Sequence, residues 1–272
     1  MRPGGRFVTA TLITGASSGI GAALALRRAA AGATLHLSGR DAARLDVVAE
    51  ACRARGAAVR VAVLDVRDAA AMAAWIGAAG RLDLVVANAG ISAGTADGVA
   101  ESAAQTRAIF ATNLDGVLNT VLPAWEVMRG QAPAADGVRG RIASIASIAA
   151  FLAVPGAPSY CASKAAVDAW TVAAAPAAAR EGVRLTSICP GYIRTPMTDR
   201  NRFPMPGLME ADRAAALILR GIQAGRVRVV FPWWLGALAR GAALLPASLV
   251  ARLAATQPGK GAAPDLGEPA GE

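Results

Sequence analysis

Short continuous apolar runs alternate along the chain with longer segments in which apolar residues recur at helical spacing. Seven of the short runs predict strands: Phe7–Ile13, Thr34–Leu37, Val59–Leu64, Leu82–Ala87, Arg141–Ser147, Val183–Ile188 and Val227–Phe231. A helical segment between two of them carries Leu45, Val48 and Cys52 after a possible N-cap at Asp41. This alternation of strand and helix predicts a parallel sheet.

Parallel sheets are covered by helices on both faces. We therefore predict the α/β class, with a single Rossmann-type, doubly wound sheet of seven parallel strands. No Gly/Ser-rich or acidic linker divides residues 1–256, so we expect one domain there and a disordered tail over residues 257–272. Ligands bind such sheets beyond the carboxyl ends of the strands, and candidate site residues should follow strands.

The composition excludes several classes of protein. The chain has 272 residues, of which 54% are apolar, but no uncharged stretch predicts a signal peptide or a membrane-spanning helix. Cys52, Cys161 and Cys189 have no paired spacing, which favours a reducing, cytoplasmic location over a disulfide framework. His36 is the only histidine and lies in a predicted strand, so we expect no metal site. The net charge of +9 comes from scattered arginines and does not predict nucleic-acid binding.

A glycine-rich turn follows the first predicted strand, in Thr14-Gly-Ala-Ser-Ser-Gly-Ile-Gly21. The glycines allow a tight turn, a close approach of the backbone to a pyrophosphate and close packing of the next helix, whose N-terminus faces the phosphates. We predict a dinucleotide site here, formed by Gly15, Ser17, Ser18, Gly19, Ile20 and Gly21.

The second predicted strand leads into Ser38-Gly-Arg40, where an enzyme that uses NAD usually carries an acidic residue. Arg40 can pair with a 2′-phosphate, which favours NADP, although the adjacent Asp41 leaves NAD possible. Asp65 follows the third strand together with Val66. It could bind the adenine amine, or it could simply end the strand.

Tyr160 and Lys164 lie four residues apart, so on a helix they share one face. Lys164 is one of only two lysines in the chain, which makes its place here informative. A lysine ammonium close to a phenol stabilises the phenolate, so we expect the pKa of Tyr160 to be lowered and the tyrosine to transfer protons. An exposed lysine beside a packing tyrosine is the alternative.

Several motifs occur together in a fixed order: Gly15-x3-Gly19-x-Gly21, Asn88-Ala-Gly90, Asn113, Ser147, Tyr160-x3-Lys164 and Pro190-Gly191. In this order and separation they resemble the classical branch of the short-chain dehydrogenase/reductase family, over about residues 7 to 231. The resemblance implies an oxidoreductase that moves hydride between a nicotinamide cofactor and a carbonyl or alcohol.

The resemblance also implies a role for each matching residue. Tyr160 would be the general acid or base, Lys164 would hold the nicotinamide ribose, and Ser147 would donate a hydrogen bond to the substrate oxygen. Ser144 fits this role less well by spacing and is interpreted as structural. Asn113 would hold a water that links Lys164 to solvent.

The remaining cofactor contacts follow from the same resemblance. Asn88, Ala89 and Gly90 would shape the loop near the adenine ribose, and Thr195 would meet the nicotinamide carboxamide. The other residues assigned to the cofactor are Pro190, Gly191 and Ile193. Two positions depart from the family: Ala87 replaces a frequent asparagine, and Pro176 should kink the helix that carries Tyr160, beyond the catalytic face.

Two later segments bear on the substrate. The loop at about residues 192–209 is rich in Phe, Pro and Met, and it is typical of a lid over an apolar substrate. The apolar segment 231–256 carries Arg240 and Arg252 without an acidic residue. It could contact a membrane surface, pack against a second subunit or close the cleft.

Three functions are therefore compared. The first is an NADP-dependent oxidoreductase acting on a mainly apolar carbonyl or alcohol, as a homodimer or homotetramer in the cytoplasm. The second is a membrane-surface reductase of long-chain keto-lipids or 3-oxoacyl compounds. The third, a non-catalytic dinucleotide-binding regulator, is disfavoured because such a protein would be expected to lose Tyr160 or Lys164.

Overall fold

Seven parallel strands form one sheet in the computed structural model, which describes residues 10–95, 100–199, 201 and 203–254. The strands are β1 (Ala10–Ile13), β2 (Thr34–Gly39), β3 (Ala58–Val63), β4 (Leu84–Ala87), β5 (Gly140–Ile145), β6 (Val183–Pro190) and β7 (Arg228–Phe231). Their order across the sheet is β3-β2-β1-β4-β5-β6-β7. The predicted fold class is confirmed. Phe7–Thr9, which begin the first predicted strand, lie outside the described residues, as does the predicted tail.

Helices connect the strands. They are α1 (Gly19–Arg28), α2 (Ala42–Arg53), α3 (Ala69–Gly77), α4 (Ala103–Phe110), α5 (Gly116–Arg129), α6 (Pro158–Arg180), α7 (Ala211–Gln223), α8 (Trp233–Ala242) and α9 (Ala247–Ala254). The predicted N-cap at the start of α2 is present, because the Asp41 side chain accepts a hydrogen bond of 2.9 Å from the Arg44 backbone N–H.

Alternate residues of the central strands pack into two separate hydrophobic cores, one on each face of the sheet. In β1, Ile13 packs on one face of the sheet and Leu12 on the other, as expected from the period of two in a strand. Residues of α1, α2 and α7 cover the first face. Residues of α3, α5 and α6 cover the second. Helices therefore cover both faces, and this explains why the central strands are apolar throughout.

Helix α6 places the Tyr160–Lys164 pair. Pro158 occupies its first turn, where a missing N–H costs nothing, and the helix then runs 23 residues to Arg180. Pro176 lies inside this helix without ending it. The turn that carries Tyr160 and Lys164 therefore belongs to a long helix that is packed against β6.

A single wide turn separates α4 from α5. Residues Ala111–Asp115 form a π-helical segment, so the two α-helices make one continuous rod with an expanded turn at Asn113. Such π-bulges occur frequently at functional sites. Asn113 was predicted for the site from its motif, but the expansion of the turn around it was not predicted.

Candidate active site

The carboxyl ends of the strands open into a cavity of about 710 Å³. Of the residues predicted for the site, those that line it are Gly15, Ser17, Ser18, Gly19, Ile20, Arg40, Asp65, Val66, Asn88, Ala89, Gly90, Ser147, Tyr160, Lys164, Pro190, Gly191, Ile193 and Thr195. Gly21 and Asn113 do not line it; both are buried behind its wall. The structure thus brings together residues that are far apart in the chain.

Further lining residues were missed by the sequence analysis. They are Ser38, Gly39, Asp41, Arg44, Leu64, Ile91, Thr112, Ile145, Ala146, Met197 and Thr198. Most of them directly follow or end β2, β3, β4 or β5, so the strand-end rule could have identified them. Met197 and Thr198 lie in the predicted substrate loop and carried no such signal.

The glycine turn after β1 is built for a close approach of another group. Gly15 and Gly19 have φ values of +63° and +55°, which favour glycine. A Cβ at Gly15 would lie 2.8 Å from the Ala89 Cα, and one at Gly21 would lie 2.3 Å from the Gly15 carbonyl oxygen. Any side chain at these two positions would push the turn apart.

Asn88 holds this turn in place. Its Nδ2 donates hydrogen bonds to the Thr14 and Gly15 carbonyl oxygens, at 2.9 and 3.0 Å, while its backbone N–H donates to Thr14 Oγ1. Ser18 precedes α1 and makes no side-chain cap, so the first turn of the helix faces the cavity without a competing side-chain acceptor. This bare helix N-terminus fits a pyrophosphate.

Arg40, Arg44, Asp41 and Asp65 line the far end of the cavity. Asp41 pairs with Arg44 over 2.6 Å, and Asp65 pairs with Arg67 over 2.7 Å. The Arg67 hydrogen bond, more than any other contact, holds the pKa of Asp65 below its usual value. Arg40 is exposed and has no ion-pair partner among the described residues. The cavity therefore presents one unpaired guanidinium at this end.

At the opposite end, Tyr160 and Lys164 lie one turn apart on α6. The Lys164 Nζ is 5.9 Å from the centre of the Tyr160 ring and donates a hydrogen bond of 2.7 Å to the Ile145 carbonyl oxygen. Lys164 is only 4% exposed, and burial lowers its pKa to about 8. The pair is enclosed, which excludes the alternative of an exposed lysine.

The expected lowering of the Tyr160 pKa is not what the structure shows. Burial raises the pKa of Tyr160 from its ordinary value of 10.0, and a hydrogen bond with Ser147 opposes this rise only in part. The physical reason is that desolvation of the phenolate outweighs the hydrogen bond. In this structure the tyrosine is therefore a phenol at neutral pH.

Ser147 adjoins this phenol through that hydrogen bond, and its Oγ also accepts from the Ala149 backbone N–H at 3.1 Å. Ser147 starts the short 3₁₀ helix Ile148–Phe151, directly beyond β5. Ser144 lies inside β5, is fully buried and does not line the cavity. The placement of both serines agrees with their sequence-based interpretation.

Asn113 connects the wide turn to the loop after β4. Its Oδ1 accepts from the Ile91 backbone N–H at 2.8 Å, and its Nδ2 donates to the Ile91 carbonyl oxygen and to Ser163 Oγ. A Cβ at Gly90 would lie 3.2 Å from the Asn113 Oδ1 and 3.4 Å from the Lys164 Nζ. Asn113 and the lysine therefore approach each other across Gly90, the residue that leaves room between them.

A buried ionic cluster lies one turn beyond Lys164 and was missed by the sequence analysis. Asp168, 5% exposed, accepts two hydrogen bonds from the Arg228 guanidinium, at 2.9 and 2.7 Å, and one of 2.6 Å from Ser187. Burial acts to raise its pKa, but the hydrogen bonds from Arg228, Ser187 and Cys189 outweigh it and keep the pKa below normal. The cluster ties the catalytic helix to β6 and β7.

The substrate loop forms one side of the cavity. Its two ends are joined by a bridge between Ile193 and Met209, and Tyr192 contacts Phe203 edge to face at 6.0 Å between ring centres. Met197 lines the cavity and is 38% exposed. Of the loop residues that line the cavity, Ile193 and Met197 are apolar and Thr195 and Thr198 are polar.

The other side chains considered for chemistry, His36 and the three cysteines, are all buried. His36 is 2% exposed in β2, and burial lowers its pKa. Cys52, Cys161 and Cys189 are buried free thiols. Within the described part of the chain, no three His, Cys, Asp or Glu side chains are placed to share a metal ion. No helix in that part is both long and apolar enough to cross a bilayer.

Residues 9–204 match the sequence model of the short chain dehydrogenase family. An uncharacterized oxidoreductase of Myxococcus xanthus is 37% identical over 86% of this chain and 92% of its own length. A putative ketoacyl reductase of the granaticin polyketide synthase of Streptomyces violaceoruber is 38% identical over 77% of each chain.

Solved structures show the same fold. A short chain dehydrogenase/reductase from Burkholderia phymatum, in complex with NAD, is 27% identical and aligns with a TM-score of 0.76 over 85% of this chain and 92% of its own. A short-chain dehydrogenase from Sphingobium yanoikuyae, in complex with NADPH, is 25% identical and aligns with a TM-score of 0.74 over 89% of this chain and 98% of its own.

Proposed function

Since this chain belongs to the short-chain dehydrogenase/reductase family of oxidoreductases, we propose that it uses NADP to transfer hydride to or from a mainly apolar carbonyl or alcohol. The observation that carries the proposal is the enclosure of Ser147, Tyr160 and Lys164 in the cavity that also contains the glycine turn. A proton donor thus adjoins a site shaped for a dinucleotide.

The residues present fit a nicotinamide dinucleotide. The bare N-terminus of α1 and the turn at Gly15 and Gly19 would hold the pyrophosphate, and Lys164 and Thr195 lie along the cavity for the nicotinamide half. When bound, the cofactor supplies or accepts the hydride. The substrate-binding half of the cavity is then bounded by Tyr160, Ser147 and Met197.

Proton transfer is assigned to Tyr160. In reduction its hydroxyl gives a proton to the substrate oxygen, and in oxidation the phenolate takes one back. Ser147 donates a hydrogen bond to the same oxygen as negative charge develops there. The charged Lys164 stabilises the transient phenolate, and Asn113, which approaches the lysine across Gly90, would continue the proton path to solvent.

The preference for NADP rests on Arg40. Asp41 and Asp65 are each neutralised by another arginine, whereas Arg40 keeps its guanidinium unpaired among the described residues. A 2′-phosphate would meet this cation, and the ribose 2′-hydroxyl of NAD would find no free carboxylate on Asp41 or Asp65. Solved relatives in complex with NAD and with NADPH are both similar to this chain, so Arg40 supplies the argument for NADP.

A membrane-surface reductase of long-chain keto-lipids or 3-oxoacyl compounds is the second candidate. The similarity to a putative ketoacyl reductase favours it, as do the apolar substrate loop and the exposed apolar residues of α8 and α9. A non-catalytic regulator is less favoured because the whole Ser147–Tyr160–Lys164 set is retained. A cytoplasmic location and a homodimer or homotetramer stay predictions, as does the single domain over residues 1–256.

Oxidation of NADPH and NADH in the presence of ketones, aldehydes and 3-oxoacyl thioesters tests the proposal. We expect turnover with NADPH that falls about 10²- to 10⁴-fold in Tyr160→Phe, the range typical of a lost general acid. Tyr192→Phe removes the only other tyrosine hydroxyl and should leave turnover nearly unchanged. Equal turnover in wild type and Tyr160→Phe would contradict the assignment. NADPH binding without turnover of any compound would favour the regulator.

A further inference from the structure

Large apolar side chains are exposed along α8, the turn after it and the start of α9. These side chains, which we call the α8–α9 face, are Trp233, Trp234, Leu238, Leu244, Leu245 and Leu249. Trp233, Leu238 and Leu244 are 77%, 62% and 87% exposed. The face holds six of the twelve large apolar side chains that are exposed in the described residues, so these are clustered and not scattered.

The packing of α8 explains why this face turns outward. Gly236 and Ala239 are buried on the opposite side, where a Cβ at Gly236 would lie 2.4 Å from the Val230 Cγ1. Arg240 lies 4.0 Å from the centre of the Phe151 ring, which fixes the helix further. The small residues of α8 thus meet the sheet, and three of its four large apolar residues, Trp233, Trp234 and Leu238, are left outside.

The charge near the α8–α9 face distinguishes between the partners that could bind it. Arg240 and Arg252 are exposed on α8 and α9, the helices that carry the face, and no acidic residue occurs between Arg213 and Ala254. Two copies of the face related by a twofold axis would bring these cations together without a counter-charge.

We propose that the α8–α9 face binds the surface of a bilayer containing anionic lipids. The tryptophans and leucines would enter the boundary between headgroups and acyl chains, while the arginines meet the lipid phosphates. This contact lies on the surface and needs no spanning helix. It would supply the membrane contact of the second candidate function, and it can be tested without turnover.

The face adjoins the cavity. A Cβ at Gly207, in the substrate loop, would lie 3.0 Å from the Trp234 Cζ2, and one at Gly191 would lie 3.2 Å from the Leu235 Cδ2. Gly191 lines the cavity. If the proposed function holds, an apolar substrate dissolved in the bilayer would therefore reach the cavity past the substrate loop.

Flotation of the full chain with vesicles tests the contact without any substrate. One set of vesicles contains phosphatidylcholine alone and the other contains phosphatidylcholine mixed with phosphatidylglycerol. We expect the wild type to float with the mixed vesicles, and the triple variant Trp233→Ser, Leu238→Ser, Leu244→Ser to lose about tenfold or more in partition coefficient. Arg252→Gln should weaken binding to the mixed vesicles only. Val47→Ser, which alters a 71% exposed apolar side chain on α2, is the matched control.

Fluorescence locates the contact. Phosphatidylcholine with brominated acyl chains should quench tryptophan emission of the bound wild type, and Trp233→Phe should float equally well but show weaker quenching. The proposal is overturned if the wild type floats with neither vesicle or if the triple variant floats as well as the wild type. It is also overturned if the triple variant only dissociates a dimer of the wild type in size-exclusion chromatography.

Discussion

The Lys164 Nζ donates a hydrogen bond of 2.7 Å to the Ile145 carbonyl oxygen, which anchors the catalytic ammonium to the end of β5. A carbonyl dipole compensates a buried cation only in part, and burial accordingly lowers the pKa of Lys164 to about 8. The buried lysine therefore lowers the free energy of unfolding, and its proposed role in the site accounts for its presence there. This cost can be measured.

Lys164→Met should stabilise the fold while abolishing activity. The variant keeps the shape of the stem but removes the desolvated charge, so we expect the free energy of unfolding at pH 7 to rise by roughly 1–3 kcal/mol. Urea unfolding measures the first effect, and NADPH oxidation measures the second. A variant less stable than wild type would show that the ammonium is well compensated.

The same variant has a predicted pH dependence. The pKa of Lys164 is about 8 when folded against 10.5 as its ordinary value, so the unfolded state binds more protons between these pH values. Stability conferred by this group therefore rises as pH rises from about 8 to 10.5. Because other groups titrate there, the test is the difference between wild type and Lys164→Met, which should shrink over this interval. A constant difference would contradict the lowered pKa.

Reduction should lose efficiency in alkali when Lys164 loses its charge. Burial raises the pKa of Tyr160, so the proton donor is present throughout neutral pH. We expect kcat/KM for reduction to be flat up to about pH 8 and to fall above it, where the neutral lysine no longer stabilises the phenolate. Tyr192→Phe should show the same profile. A kcat/KM that stays constant to pH 10 would contradict this dependence of Tyr160 on the charge of Lys164.

Asp168→Asn should destabilise the protein by removing one partner of the ion pair between the buried Asp168 and the partly exposed Arg228. Arg228 would lose its counter-charge, but solvent screens its side chain, which is 35% exposed, so we expect a loss of roughly 1–2 kcal/mol in the free energy of unfolding at neutral pH. Because the folded pKa of Asp168 is below its ordinary 3.8, the stability that its charge confers is present above that value and is lost as pH falls through the folded pKa.

A double-mutant cycle separates this ion pair from general packing at the same position. The cycle compares Asp168→Asn, Arg228→Met and the double variant. We expect a coupling free energy of about 1 kcal/mol or more between the two substitutions. Ser187 contacts Asp168 as well and stays unchanged in all variants. Additive effects of the two substitutions would show that the pair has little energy of its own.

Arg40→Gln should change the cofactor preference. Loss of the guanidinium removes a charge-assisted contact to the 2′-phosphate, so we expect KM for NADPH to rise roughly tenfold to a hundredfold with little change for NADH. Arg53→Gln, on the exposed surface of α2 and paired with Glu50, is the control and should change neither. An equal effect on both cofactors would remove the argument for NADP.

Much of the fold and site could be predicted because the signals are local. The strand–helix alternation predicted all seven strands, with ends within a few residues of those seen: β3 ends at Val63 where Leu64 was expected, and β6 continues to Pro190. Strand ends are harder to predict since they depend on which neighbouring strand offers hydrogen bonds. Parts of the site escaped prediction for a similar reason. Arg67 binds both oxygens of Asp65, and no sequence pattern indicates which arginine does so.

The order of strands and helices along the chain, the glycine turn at Gly15 and the one-turn spacing of Tyr160 and Lys164 follow from the amino-acid sequence alone. Each depends on residues within a few positions of one another, whose geometry the backbone fixes. Tertiary packing explains why burial raises the pKa of Tyr160 and why Arg228 meets Asp168 across 60 positions. It also explains why Trp233, Trp234 and Leu238 of α8 are exposed. Desolvation, ion pairing and exposure depend on elements that packing brings together from distant parts of the chain. The residues next to each group in the sequence do not specify these contacts.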